Sequence, residues 1–129
     1  MGMSPTIVDG DRLLIHQRFY ERVDIERFDI VAFTVSPDLF HYKRVIGMPG
    51  EKIEIRNGET YINDKLLIEP FEMQKWSESN FGPLAIPEGE YFVMGDNRPN
   101  SADSRIWEPA TIKKGNILGK VAEVVRKAK

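Results

Sequence analysis

The stretch KIEIRNGETYIND, residues 52–64, decides the fold class predicted for this chain. Apolar and polar residues alternate on both sides of Asn57-Gly58, as they do in two strands joined by a tight turn. An Asn-Gly pair favours a two-residue hairpin loop of type I′, because both of its residues tolerate positive φ. Counting outward from that loop predicts two cross-strand pairs on one apolar face: Ile55 with Thr60, and Ile53 with Ile62. A further turn at Asn63-Asp64 predicts that the chain continues as a meander.

Segments with a period of two flank the hairpin on both sides. They are rich in β-branched and aromatic residues, and turn signals such as Asp9-Gly10 and Pro49-Gly50 bound some of them. These predicted strands are DRLLIHQRFY (11–20), FDIVAFTV (28–35), HYKRVIGM (41–48), EYFVMGDN (90–97) and ILGKVAEVV (117–125). Only KVAEVVRKAK, residues 120–129, is equally compatible with a helix. Since helical segments seldom separate the strands, we predict a mainly β fold of antiparallel sheets in a single domain, residues 1–129.

Residues 70–87 interrupt this pattern. The stretch from Glu69 to Pro87 holds three prolines and one glycine and shows no regular period. We therefore predict an irregular surface excursion within the domain. Its aromatic residues Trp76 and Phe81 either remain exposed or fold back as a small satellite cluster.

The composition limits the classes of function. The chain has 129 residues and a formal net charge of −2, whereas a nucleic-acid-binding domain is more often basic, so we expect no nucleic acid partner. It has no cysteine and only two histidines, His16 and His41, which excludes disulfides and thiolate metal sites. No cluster of His, Asp and Glu has the spacing of metal ligands, and we expect neither a metal nor another cofactor. No apolar run approaches the roughly 20 residues of a membrane-spanning helix.

Lys43 is out of place in its predicted strand. Its neighbours Phe40, Tyr42, Val45 and Ile46 suit a strand packed on a core, whereas burial of an ammonium group is costly. A lysine of ordinary pKa is neutral in only about one molecule in 2,500 at pH 7, but burial lowers the pKa and yields a usable base. The structural alternative is a side chain that snorkels to water.

Four stretches, taken in order, resemble the conserved boxes of bacterial type I signal peptidases. They are MSPT (3–6), RFDIVAF (27–33), YKRVIGMPGE (42–51) and GDNRPNSADSR (95–105). The resemblance implies coiled antiparallel β-sheets, a fold shared with self-cleaving repressor-type proteases. It also implies a serine endopeptidase that uses a Ser-Lys dyad to remove N-terminal signal peptides from secreted preproteins.

The resemblance assigns roles to residues in the boxes. Lys43 matches the general base, and Ser101 matches the serine whose hydroxyl hydrogen-bonds to that lysine and orients it. Asp103 and Arg105 match a charged pair with a structural role, which we expect to be linked to Arg44. Because a strand alternates its faces, we expect Arg44 to point away from Lys43.

The first box lacks its nucleophile. In the family a serine directly precedes the methionine of this box, and Gly2 stands there in this chain. Ser4 lies two residues later, roughly 6–7 Å further along an extended strand and out of reach of the same site. We therefore expect the chain as given to be inactive, whether the serine was lost by truncation, by mutation or naturally.

The substrate is expected to bind as an added strand. Signal peptides carry small residues at the first and third positions before the cut, and an extended peptide exposes both on one face. We predict that the peptide inserts between the segment around Met3 and residues 40–42. The residues predicted to line its shallow apolar pockets are Met3, Ile7, His41 and Tyr42. For Met3 and Ile7, plain core packing is the alternative.

The resemblance places the native protein at the extracytoplasmic face of the cytoplasmic membrane, held by an N-terminal anchor, and makes the chain as given a soluble fragment. Two other classes of protein remain open. One is a self-cleaving repressor-type Ser-Lys protease, which the fourth box fits less well. The other is a natural homologue that binds or chaperones secreted proteins without cutting them.

Overall fold

The structure, a computed structural model, describes residues 2–36 and 39–125. Within these ranges the strands are β1 (Arg12–His16), β2 (Ile30–Ser36), β3 (Leu39–Gly47), β4 (Lys52–Arg56), β5 (Glu59–Ile62), β6 (Lys65–Leu66), β7 (Phe81–Ala85), β8 (Glu90–Met94), β9 (Ile112–Lys113) and β10 (Ile117–Val125). The helical segments there are short 3₁₀ turns, Phe19–Glu21, Arg98–Asn100 and Lys114–Asn116. No helix among the described residues has the length and apolar character needed to cross a membrane.

The strands form two antiparallel sheets. The larger sheet has the order β1-β10-β2-β3-β8-β9, and the smaller has the order β6-β5-β4-β7. Each ladder between neighbouring strands is antiparallel, which confirms the predicted fold class. Residues 120–125 belong to β10 and are therefore strand, while 126–129 lie outside the described residues.

The hairpin of β4 and β5 has the predicted turn and register. Asn57 and Gly58 have φ values of 51° and 81°, as a type I′ loop requires. The cross-strand pairs are the predicted ones, Ile53 with Ile62 and Ile55 with Thr60. All four of these side chains are buried. Positive φ at Asn63 and Asp64 then turns the chain into β6, so the meander is also confirmed.

The irregular excursion predicted for residues 70–87 is wrong in its second half. Phe81–Ala85 forms β7, which pairs with β4. Phe81 packs on Phe92 of the main core, with ring centroids 5.1 Å apart, and is not part of a satellite cluster. The glycine and proline inside this strand hide its period: Gly82 has a φ of +78°, and a Cβ there would stand 2.8 Å from the Ile53 carbonyl oxygen. Trp76, before β7, is exposed.

β3 lies between two hydrophobic clusters and contributes to both. Ile46 belongs to a cluster that joins the two sheets. Val45 belongs to a second cluster, which includes Val31 and Phe33 of β2. Because side chains alternate along a strand, Lys43 projects to the same side as Val45, and Arg44 projects to the same side as Ile46.

Candidate active site

Residues 2–6 form a turn. The Met3 carbonyl accepts a hydrogen bond from Ile7 N at 2.9 Å, and the Gly2 carbonyl accepts one from Asn97 N at 2.9 Å. The first of these is a helix-like bond between residues four apart, which folds the segment back on itself. The prediction of an extended strand around Met3 is therefore wrong, and this segment offers no strand edge to a peptide.

Ser4 is held on another side of this turn. Its hydroxyl accepts a hydrogen bond from Gln74 Nε2 at 3.2 Å. The turn thus commits Ser4 to a contact with residues that precede β7.

Arg44 pairs with Asp96, and the predicted link to Asp103 is wrong. Its Nε and Nη2 donate to the two carboxylate oxygens of Asp96 at 2.9 and 2.7 Å. Nη1 donates to the Phe28 carbonyl at 2.9 Å, and the guanidinium lies 4.1 Å from the ring centre of Phe71. A buried guanidinium needs a carboxylate in fork geometry, and Asp96 is the carboxylate on the same side of β3.

Asp96 also fixes the N-terminal turn, because its Oδ2 accepts a hydrogen bond from Thr6 Oγ1. The sequence reasoning missed this residue. The signal was present, since an acid directly after the apolar strand β8 has to be paired if it is buried. Asp96 is in fact fully buried.

Asp103 and Arg105 form the predicted pair. Arg105 Nε and Nη2 donate to the Asp103 carboxylate, each at 2.9 Å, and Gly95 N donates to it at 3.0 Å. Burial alone raises the pKa of Asp103, but the Arg105 guanidinium and these hydrogen bonds outweigh it and lower the pKa. Arg105 also donates to the Arg98 carbonyl at 2.9 Å, so the pair holds the 95–105 loop in one shape.

Lys43, Gly2 and Ser101 meet at one point. Lys43 lies opposite Val31 in the β2–β3 ladder, and it is only 7% exposed. A Cβ built on Gly2 would overlap the Lys43 amine and would lie 3.5 Å from the Ser101 hydroxyl oxygen. The two side-chain atoms therefore border the same small volume beside the Gly2 Cα.

The predicted hydrogen bond between Lys43 and Ser101 is not formed. Ser101 Oγ is the one buried side-chain polar atom of the described residues without a hydrogen bond of normal geometry, although it lies near enough to Asp103 to help lower the pKa of that carboxyl. With no side chain at position 2, the amine occupies the volume beside Gly2. The hydroxyl expected to orient the amine therefore lies beside it without bonding to it.

Burial without an ion pair lowers the pKa of Lys43. Desolvation is the largest cause and the nearby charge of Arg105 adds to it, while the charges of Asp103 and Asp96 oppose it. Both carboxylates are bonded to arginines, and neither accepts a hydrogen bond from the amine. The direction is the one that a general base requires.

Gly95 packs directly against both Ser101 and the backbone of Gly2. A Cβ there would overlap both Ser101 Oγ and the Gly2 carbonyl oxygen. The glycine of the fourth box is therefore required for the 95–105 loop to approach the N-terminal turn.

The residues predicted to line a substrate pocket are not equivalent. Met3 and Ile7 are buried, at 5% and 8% exposed. His41 is half-buried and shares the Lys43 side of β3, whereas Tyr42 projects to the other side. Trp107, which the sequence reasoning missed, packs edge-on against His41 with ring centroids 5.9 Å apart.

An antiparallel β scaffold that buries an unpaired lysine beside a serine hydroxyl has the arrangement characteristic of Ser-Lys hydrolases. The comparisons with known proteins agree with this class. The family model for signal peptidases, peptidase S26, matches residues 1–126. The chain belongs to the signal peptidase S26 family, and this favours the signal peptidases over the repressor-type proteases.

Individual relatives support the same assignment. The chain is 41% identical to a signal peptidase I of Bacillus amyloliquefaciens and 40% identical to signal peptidase I T of Bacillus subtilis strain 168, in each case over 95% of this chain and 63% of the relative. A crystal structure of a signal peptidase I from Enterococcus faecalis V583 superposes with a TM-score of 0.60 at 34% identity, covering 78% of this chain and 98% of that one. The chain thus spans less than two thirds of the length of these two Bacillus relatives.

Proposed function

We propose that this chain is the catalytic-type domain of a signal peptidase I, an endopeptidase that removes N-terminal signal peptides from secreted preproteins. Lys43 is the general base and Ser101 orients it. Gly2 occupies the place of the nucleophile, so the chain as given does not cleave. The observation that carries this proposal is the small volume beside Gly2, which both the Lys43 amine and the Ser101 hydroxyl border.

A serine at position 2 would complete the reaction centre. Its Cβ would overlap only the far end of the flexible Lys43 side chain, so the amine has to shift within the volume it shares with Ser101. The serine oxygen would attack the scissile carbonyl as its proton passes to the neutral amine, and the leaving peptide amine would take that proton in turn. The lowered pKa of Lys43, caused chiefly by burial, supports the neutral form.

We propose that the substrate adds to the first half of β3. The ladder between β3 and β8 runs from Arg44 to Gly47, whereas the ladder to β2 covers the strand from its first residue. The part of β3 ahead of Arg44 therefore projects past β8. An extended peptide on this edge would carry its scissile bond towards Lys43.

The rings of His41 and Trp107 supply one wall for small substrate side chains next to the Lys43 side of β3. Met3 and Ile7, both buried, complete the proposed lining, whereas Tyr42 lies on the other side of β3 and is left out of it. A wall of packed aromatic rings favours alanine-sized residues, because a larger side chain would have to displace a ring.

The partners proposed are secreted preproteins, met at the extracytoplasmic face of the cytoplasmic membrane. The names of the relatives, each a signal peptidase I, support preproteins as the substrates. No nucleic acid, metal or cofactor enters the proposed reaction.

The test is to place serine at position 2. We expect Gly2→Ser to cleave a fluorogenic peptide that ends in Ala-x-Ala before the cut, and the original chain and Gly2→Ala not to cleave it above background. Adding Lys43→Met to Gly2→Ser should lower kcat/KM by at least about 100-fold, since the general base is lost. Turnover by the original chain that disappears in Ser4→Ala would show that the nucleophile is misassigned. A folded Gly2→Ser variant without turnover in detergent or lipid would reject the proposed reaction.

A second candidate is a module that binds signal peptides without cutting them, and Gly2 itself is the observation that favours it. The same variants separate the two. If the original chain binds the peptide and Gly2→Ser binds it equally well but never cleaves, the binding module is the better account.

A further inference from the structure

The Lys43 amine stands where a side chain at position 2 would begin. A Cβ built on Gly2 would overlap Nζ, and the next nearest atom, Ser101 Oγ, would be 3.5 Å away. Under the proposed function, this is the place from which the nucleophile meets the substrate carbonyl. In this chain the reactive group nearest to that place is a primary amine.

The amine forms no hydrogen bond or ion pair with the described residues, and only the burial of Lys43 and the more distant charges of Asp103, Arg105 and Asp96 act on it. The Lys43 residue is 7% exposed, so it is buried but not completely closed off from solvent. Its Nζ lies against the Gly2 Cα, where a Cβ would stand.

The charges around Lys43 are already satisfied by other groups. Asp103 is held by Arg105, and Asp96 is held by Arg44. Neither carboxylate is available to keep the amine protonated by direct pairing. A buried amine without a partner is neutral more often than an exposed one, and the neutral amine is the nucleophile.

We propose that Lys43 is a nucleophile towards aldehydes, and that an aldehyde binds with its carbonyl group against the amine beside Gly2. The neutral amine adds to the aldehyde carbon, and a proton moves from nitrogen to the former carbonyl oxygen to give a carbinolamine. The hydroxyl then takes the second proton of the nitrogen, by way of solvent, and leaves as water as the C–O bond breaks, and a C=N bond forms between the aldehyde carbon and Nζ. The reaction needs no oxidant or reductant and is reversible.

The ligand class is an aldehyde small enough to reach the amine, or an extended one that reaches it along β3. Acetaldehyde represents the first kind and depends only on the placement of Lys43. A short peptide aldehyde that ends in Ala-x-Ala represents the second, and its recognition rests on the proposed function. The aldehyde carbon would take the place of the scissile carbonyl carbon.

The experiment is reductive labelling of the folded chain with acetaldehyde and cyanoborohydride at pH 7, followed by peptide mapping. The cyanoborohydride supplies the hydride that converts the imine to a stable secondary amine. Lys75 and Lys113 are exposed and serve as internal comparators. We expect the initial labelling rate of Lys43 to exceed theirs at least tenfold, and an equal or slower rate at Lys43 overturns the proposal.

Two controls test whether the reactivity of Lys43 depends on its place in the folded structure. Gly2→Ala fills the volume beside the amine without adding a hydroxyl, so we expect labelling of Lys43 to fall at least threefold while Lys113 is unchanged. Unchanged labelling of Lys43 in this variant, shown to be folded by circular dichroism, overturns the proposal. In urea the advantage of Lys43 over Lys113 should vanish, and an advantage that persists in the unfolded chain also overturns it.

The pH profile gives an independent measurement. The titratable and charged groups near Lys43 are His41, Asp96, Asp103 and Arg105. Because burial is the dominant influence on Lys43, its labelling should persist to lower pH than that of Lys113. Identical profiles would overturn the proposal.

The peptide aldehyde distinguishes this inference from the proposed function. We expect it to label Lys43 at a concentration at least tenfold below that needed for acetaldehyde, and labelling no better than acetaldehyde overturns the extension to peptides. If Gly2→Ser fails to cleave while acetaldehyde still labels Lys43 selectively, the peptidase proposal falls and the carbonyl site stands.

Discussion

Lys43 and Arg44 are adjacent basic residues, both buried, but only Arg44 is paired with a carboxylate. Arg44 is bonded through its fork to Asp96 at 2.9 and 2.7 Å, while Lys43 has no hydrogen-bond partner in the described ranges. The planar, permanently charged guanidinium suits a structural pair, and an ammonium that gives up its proton on burial suits a base. Strand alternation makes both roles compatible, because it sends the two side chains to opposite faces of β3.

Replacing Lys43 or Arg44 by methionine should change the free energy of unfolding in different ways. Lys43→Met keeps the apolar stem and removes a desolvated amine, so we expect its free energy of unfolding near pH 7 to be unchanged or higher. Arg44→Met leaves Asp96 buried and unpaired, and we expect it to lose about 3–5 kcal/mol. Urea titrations of both variants and of the original chain measure this.

The pH dependence of the same titrations has a defined sign. The pKa of Lys43 is lowered in the folded state, so between its folded and unfolded pKa values the folded chain binds fewer protons than the unfolded one. The stability of the original chain relative to Lys43→Met should therefore rise from pH 7 towards pH 9. A clear loss of stability in Lys43→Met at both pH values would identify Lys43 as a structural ion-pair residue.

The contacts of the irregular segment that precedes β7 were not predicted from the sequence. We call residues 69–76 the strap. Within it, Gln74 N donates to the Asp96 carbonyl at 2.8 Å and the Gln74 carbonyl accepts from Arg98 N at 3.0 Å. Glu69 pairs with Arg98 at 2.6 Å. The strap thus covers the Arg44–Asp96 pair and reaches the N-terminal turn.

Phe71 is the anchor of the strap, because the Arg44 guanidinium lies 4.1 Å from its ring centre and Phe28 packs on it at 5.5 Å. We expect Phe71→Ala to lose about 1–3 kcal/mol from lost packing and cation–π attraction. Trp76→Ala, which removes an exposed ring at the end of the same strap, should change stability by less than about 0.5 kcal/mol. Denaturant unfolding of the two variants is the measurement, and equal losses would contradict an anchoring role for Phe71.

Features that depend on contacts between residues close in sequence could be predicted, whereas features that depend on contacts between distant segments could not. The hairpin at 52–64 was predicted down to its cross-strand pairs, because the Asn57-Gly58 loop and the period of two are local signals. The meeting of Gly2, Lys43 and Ser101 was expected from the family resemblance and not from any local pattern. The strap and the Arg44–Asp96 pair depend on contacts between segments far apart along the chain, which periodicity does not encode.

For the molecule as a whole, the candidate site lies where three separate segments close on one another. The N-terminal turn supplies Gly2, β3 supplies Lys43, and the 95–105 loop supplies Ser101. The turn is fastened to the loop by Asn97 N, which donates to the Gly2 carbonyl at 2.9 Å. Since no single segment contains all three residues of the site, any change that separates the turn from the loop should also separate Gly2 from Ser101.

Gly95→Ala tests that closure directly. The new Cβ would overlap Ser101 Oγ and also the Gly2 carbonyl oxygen, which is backbone and cannot rotate away. We expect a loss of about 1–3 kcal/mol in the free energy of unfolding, measured in denaturant. The matched control is Gly115→Ala, where a Cβ would meet nothing within 4 Å, and we expect that change to be neutral or stabilising by up to about 1 kcal/mol. Because the overlap acts between the turn and the loop, Gly95→Ala should also abolish cleavage when combined with Gly2→Ser. Full stability together with full activity in that double variant would show that the two segments do not have to close in this way.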